Sequence, residues 1–166
     1  MSEERIMIFI DGSNFYHGLR KNIGEDTNID FSKLGKVIAD IRKLVRTHYY
    51  NAPLDQKINP EKYRKQQRFF ERLRHIPNFR LILVRMQKRT IEGKPIYVVK
   101  GDDIHIATDM IVLASKNAYD TAVLVSGDGD FVPAVRAVQD RESGLRTTIS
   151  GLVIHGILGR HATNLS

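Results

Sequence analysis

Cysteine is absent from the 166 residues. Its absence removes disulfide scaffolds, thiolate zinc sites and cysteine nucleophiles together, and leaves a reducing cytoplasm as the expected compartment. Long apolar runs are missing as well. The opening MSEERIMIFIDG sets acids before a short apolar stretch that stops at Asp11, and so fits neither a signal peptide nor a span of ~20 apolar residues. A soluble, untargeted chain without a membrane partner is expected. No internal repeat, low-complexity tract or linker interrupts the chain, and 42% apolar residues are enough to close one core, so a single domain over 1–166 is expected. Paired histidines are lacking too: His17, His48, His75, His105, His155 and His161 show no metal-ligand spacing such as HExxH, which argues against histidine-based cleavage.

Acid is scarce beside base, 19 Asp and Glu against 26 Lys and Arg, for a formal charge of +7. The excess is concentrated between Pro60 and Pro95. There Lys62, Arg64, Lys65, Arg68, Arg72, Arg74, Arg80, Arg85, Lys88, Arg89 and Lys94 face only Glu61, Glu71 and Glu92, and the remainder of the chain is near neutral. A solvated helix face accounts for many such runs. A polyanionic partner such as RNA, held through Arg64, Arg68 and Arg72, is the sharper reading.

Residues 6–10 form a continuous apolar run ended by Asp11-Gly12, which reads as a strand buried on both faces and followed by a turn. Residues 31–44 space Leu34, Val37, Ile38, Ile41 and Leu44 as a helix would, with Ser32 as a cap. A second strand is expected over 46–50, a basic amphipathic helix over 61–75, a third strand over 79–84 and a hairpin or flap over 90–99. A helix over 102–117, a fourth strand over 121–125 and a short helix over 131–138 follow, with Pro133 tolerated in the first turn. Alternating strands and helices make βαβ units, so the expected fold is doubly wound α/β, a mainly parallel sheet with helices on both faces.

Functional groups of such sheets gather outside the carboxyl ends of the strands. Four aspartates are expected there. Asp11 follows the first strand, Asp128 and Asp130 follow the fourth, and Asp103 begins the helix that enters the fourth strand from the same edge. At about 100° per residue, Ala107, Met110 and Ala114 fall within about 40° of Asp103, so it tops the apolar stripe and is expected to point inward. Converging carboxylates with little solvent are costly unless a cation offsets them. One or two Mg²⁺ or Mn²⁺ ions suit hard oxygen ligands, and two ions ~4 Å apart could activate water and stabilise the leaving oxygen of a phosphodiester. Capping a turn or helix is the plainer role for any one of these residues, Asp130 above all. Asn14 could orient a phosphate or cap a helix, Ser126 could bond a ligand or satisfy a turn, and Asp109, ~9 Å along the helix from Asp103, could support the site.

These residues carry a resemblance. Phe9-Ile-Asp-Gly-Ser-Asn14 with Tyr16, Tyr49-Tyr-Asn-Ala-Pro53, Lys100-Gly-Asp-Asp103 leading to Ala107-Thr-Asp109, and Thr121-Ala-Val-Leu-Val-Ser-Gly-Asp-Gly-Asp-Phe131 are similar in order and spacing to the NYN domain family of PIN-like nucleases. The resemblance covers most of the chain. It implies a PIN-like, Rossmann-like three-layer sheet and metal-dependent RNA cleavage, with acidic roles on Asp11, Asp103, Asp128 and Asp130, and less directly on Asp109; Lys100 would join the substrate contacts. The departure lies at the end, where the family pattern continues with a fifth strand and a closing helix ending apolar-Asp-aromatic. Residues 141–166 contain one acid, Glu142, and carry Ala162-Thr163 where an Ala-Asp pair is expected. Residues 147–150 could still supply the strand. Natural divergence and a shifted reading frame both remain open for this segment.

A non-catalytic RNA-binding domain would explain the basic segment equally well, but a polyanion-binding surface gains nothing from four close carboxylates without a cation. A small-substrate phosphatase would share the aspartate after the first strand, yet its Asp-x-Asp pattern is missing because Ser13 follows Gly12. Gly127-Asp-Gly129 lacks the third glycine and the acidic partner of a dinucleotide loop. The expected activity is hydrolysis of RNA phosphodiester bonds. RNA against single-stranded DNA, base preference and homodimer formation are open at this level.

Overall fold

The apolar residues 6–10 are all buried and form the central strand of a computed structural model, which describes residues 3–23, 28–84, 86–91, 94–99, 101–140 and 146–149. In chain order the elements are β1 (Arg5–Asp11), α1 (Gly12–Asn22), α2 (Phe31–Ala39), β2 (Lys43–Asn51), α3 (Pro60–Arg74), β3 (Phe79–Leu83), β4 (Met86–Ile91), β5 (Lys94–Val99), α4 (Asp102–Ser115), β6 (Thr121–Val125), a 3-10 turn (Gly129–Phe131), α5 (Val132–Gln139) and β7 (Arg146–Ile149). Five strands make one parallel sheet in the order β3-β2-β1-β6-β7. The remaining two, β4 and β5, pair antiparallel as a separate ribbon.

Side-chain alternation along β1 divides the core in two. Ile6, Ile8 and Ile10 pack with Phe15 and Leu19 of α1, Phe31, Leu34 and Ile38 of α2, and Phe70 and Leu73 of α3. Met7 and Phe9 pack on the opposite face with Ile106, Met110 and Ala114 of α4 and Val135 and Val138 of α5. The result is the doubly wound, three-layer α/β architecture expected. Connections from β1 cover one face while those to and from β6 cover the other, so the order reverses between these neighbours. That reversal opens a crevice at their carboxyl ends.

Several boundaries differ from the sequence expectation. The turn expected after Asp11 is the start of α1. Gly12 permits this: an added Cβ would lie 2.5 Å from the Tyr50 carbonyl oxygen and 2.6 Å from the Tyr49 ring, so only glycine lets the helix begin hard against β2. α2 stops at Ala39 rather than continuing to residue 44, because Asp40 turns out at φ 55° and the Arg42 guanidinium bonds the carbonyls of Ala39 and Ile38 at 3.1 and 2.9 Å. Ile41 is left exposed, and Leu44 belongs to a longer β2. The cap of α2 is Asp30, whose carboxylate accepts the Lys33 amide at 3.0 Å, not Ser32. The ribbon begins at Met86, earlier than the expected residue 90. Lys100 and the expected closing segment around Ala162-Thr163 lie outside the described residues.

Candidate active site

Asp11 ends β1 almost fully buried, at 5% exposure. Its Oδ1 accepts the Asn14 backbone N–H at 3.0 Å, capping α1, and its Oδ2 accepts the Ser126 hydroxyl at 3.1 Å. Ser126 leaves β6, and its Oγ also accepts the Asp128 amide at 3.1 Å. Asn14 Oδ1 accepts the Gly127 amide at 2.8 Å. Both sides of the crevice are therefore laced together by short side chains from α1 and the loop after β6. Asp128 caps the 3-10 turn through the Asp130 amide at 2.9 Å and is half-buried, whereas Asp130 is exposed.

Asp103 sits in the first turn of α4 behind Gly101, which takes φ 93° as the helix cap. It is half-buried at the rim, less inward than the helical wheel implied. Its carboxyl is nevertheless pushed up to about 6, first by burial and then by Asp102, Asp11, Asp128 and Asp130. Burial also raises Asp11, with Asp102 and Asp128 adding to the effect against the bonds from Asn14 and Ser126. Asp11, Asp128 and Asp130 thus act on Asp103 electrostatically, and Asp102 is a fifth member that sequence reasoning missed. The available signal was its position: two consecutive acids in the first turn of a helix that enters from the carboxyl edge.

The charges that act most strongly on Asp11 and Asp103 are those of other carboxylates. Hard carboxylate oxygens that repel one another fit a small divalent cation. Among the described residues, however, no three acidic or histidine side chains are set close enough to hold an ion between them, so the cluster is open rather than a cage. Such openness suits Mg²⁺ or Mn²⁺, which keep several waters and take one or two carboxylates. Asp11 retains a second lone pair on each oxygen despite its two hydrogen bonds.

Asp109 stands apart from this group. The Tyr50 hydroxyl donates to its Oδ2 at 2.8 Å, and His48 Nδ1 lies 3.8 Å from the same oxygen and 3.1 Å from the Tyr50 hydroxyl. Burial lowers His48 to about 4, with Arg80 and Arg46 adding and Asp109 opposing. This trio ties α4 to β2 beneath the crevice. Arg64, Arg68 and Arg72 line the exposed face of α3 at helical repeats. Gln66 anchors that helix to the loop after β2, accepting the Leu54 amide at 2.8 Å and donating to the Ala52 carbonyl at 3.1 Å. The basic ridge therefore starts near the carboxyl edge and runs away from it.

A doubly wound parallel sheet with carboxylates gathered where its order reverses defines a PIN-like fold. The chain belongs to the NYN domain family, which matches residues 5–160. It is also similar to the crystal structure of a protein of unknown function from Vibrio parahaemolyticus, at 29% identity and a TM-score of 0.67, over 89% of this chain and 80% of that one. No curated protein matches the sequence. NYN domains are generally nucleases. Among the described residues, no helix is long and apolar enough to cross a membrane.

Proposed function

We propose that the chain is a divalent-metal-dependent ribonuclease that hydrolyses phosphodiester bonds of single-stranded RNA. The observation that carries this reading is the gathering of Asp11, Asp102, Asp103, Asp128 and Asp130 at one sheet edge, where burial and the other four carboxylates raise Asp103 to about 6. Asp11, with Asp103 or Asp128 beside it, would supply one or two carboxylates to a Mg²⁺ or Mn²⁺ ion that keeps its other waters, with Asp130 at the exposed rim. When bound, such an ion supplies a water of lowered pKa and charge stabilisation at the leaving oxygen. The chain's own contribution is positional. Ser126 and Asn14 fix Asp11 and the loop bearing Asp128 in one network, so these carboxylates need little reordering when substrate arrives. The exposed arginines of α3 attract the phosphate backbone, which the carboxylates alone would repel.

The test is cleavage of a labelled single-stranded RNA with Mn²⁺, beside EDTA and the Asp128→Asn variant. Cutting that needs the ion and is lost in the variant is expected. RNA that binds but stays intact at high protein concentration would replace the reading with that of an RNA-binding domain.

A further inference from the structure

We propose that Tyr16, backed by Arg20, is a stacking platform for one unpaired nucleobase beside the carboxylate cluster. The proposal rests on the reading of the chain as a single-strand ribonuclease and adds to it a residue that grips substrate. Tyr49, Tyr50 and Tyr119 are all buried in the cores, whereas Tyr16 is 50% exposed. The Arg20 guanidinium carbon lies 5.5 Å from the Tyr16 ring centroid, and Arg20 Nη1 reaches the Tyr16 hydroxyl at 3.4 Å. The His17 ring meets Tyr16 edge-on at 5.9 Å between centroids. An aromatic face backed by a guanidinium is the combination that holds single strands without regard to sequence, because every base offers a π-face.

Its place supports that use. Tyr16 is the fifth residue after Asp11 in the chain. At about 100° per residue it falls within about 40° of Gly12 and about 160° from Asn14. Asn14 faces the loop after β6, and Gly12 faces β2. Tyr16 thus looks toward the β2 side, where the following loop anchors α3 and its arginines. A strand that runs from the carboxylates toward the basic ridge would cross that side of α1. Phosphates close to the carboxylates are repelled, so an uncharged base is the better handle there.

The chain has no tryptophan, so Tyr16→Trp introduces a single indole fluorophore at a surface position. In EDTA, which prevents cleavage, it is titrated with a uridine oligomer and with an abasic ribose-phosphate oligomer of the same length. Binding is followed independently by anisotropy of a labelled strand. Saturable quenching by the uridine oligomer, little by the abasic one, and silence of an Ile41→Trp control at the opposite edge are expected. Tyr16→Ala should raise Kd about tenfold, with Tyr16→Phe near wild type. Uridine binding that leaves the indole emission of Tyr16→Trp unchanged, equal quenching in the Ile41→Trp control, or wild-type affinity in Tyr16→Ala would overturn the platform. If wild type still cleaves RNA with Mn²⁺, the ribonuclease reading survives that failure. Absence of any binding or cleavage by wild type would overturn both.

Discussion

Asp103 and Asp109 stand on the same helix less than two turns apart, yet they live in opposite surroundings. Asp103 is ringed by carboxylates and held up to about 6. Asp109 receives a hydroxyl hydrogen bond from Tyr50 and lies beside His48. The difference separates two jobs that a strand-edge helix can perform: the first turn of α4 carries crowded like charges, while the second fastens the helix to the sheet. A group that costs stability in the free protein is a mark of function.

Asp103→Asn should separate these jobs most sharply. Cleavage should fall on the order of a thousandfold, because an ion-linked site contributes several kcal/mol to the transition state. In EDTA the same variant should be more stable. The sign follows from its raised folded-state pKa: the repulsion is absent below the unfolded value and grows as pH rises through about 6. After discounting for solvent at this half-buried rim, relief of about 1 kcal/mol would raise Tm by roughly 2–4 °C at pH 7.5. Loss of both activity and stability would place Asp103 with the fasteners.

The buried imidazole predicts the next largest effect. His48 is neutral in the folded protein at about 4 against an ordinary 6.5, so its stabilising influence is intact above the ordinary value and lost as pH falls from there toward 4. The full loss is on the order of 3 kcal/mol. The charged groups around it are Asp109 on α4, Arg80 on β3 and Arg46 on β2. Urea midpoints between pH 7.5 and 4.5 should therefore fall steeply in wild type and less so in His48→Phe. Parallel profiles would remove His48 from the account.

Tyr50→Phe should act on the same fastening more gently. It removes the hydroxyl that serves Asp109 and faces His48, at a cost of about 1–2 kcal/mol in thermal unfolding. Cleavage should fall far less than in Asp103→Asn. An equal fall in the two variants would erase the distinction between the turns of α4.

The Asp103 side of this contrast is visible in the sequence and the Asp109 side is hidden. Apolar runs long enough to be buried on both faces mark β1 and β6, and the acids that follow such strands must lie at the carboxyl edge. Asp11 and Asp128 are legible at that edge for that reason, and Asp103 because its helix enters β6 from the same edge. Asp102 is not, because a helical wheel tests inward direction while like-charge repulsion needs only proximity. The trio of His48, Tyr50 and Asp109 joins residues of β2 and α4 that are remote in the chain, and no local pattern announces it. Helix α1 is hidden because its start depends on Gly12 fitting against Tyr49 and Tyr50, a tertiary contact. The end of α2 is obscured because Ile41, Leu44 and Val45 continue a helical spacing by accident, while Asp40 and Arg42 terminate the helix.

The smallest effects should come from α3 and bear on whether its cations serve the first turn of α4 at all. Helix α3 leaves the carboxyl edge after β2 and returns the chain to the start of β3, so it runs antiparallel to the strands. At 1.5 Å per residue, Arg72 lies ~12 Å further from that edge than Arg64. A strand reaching from the carboxylates across Tyr16 meets Arg64 first. Replacing Arg64, Arg68 and Arg72 singly by alanine should therefore weaken RNA binding in that order, by no more than severalfold each. For every phosphate that a variant no longer neutralises, the slope of log K against log salt should become shallower by about 0.7, the value for single strands. Equal losses at the three positions would describe a diffuse electrostatic surface. A graded loss would describe a track that begins at the cleft, and only a track gives the strand a fixed register on the carboxylates.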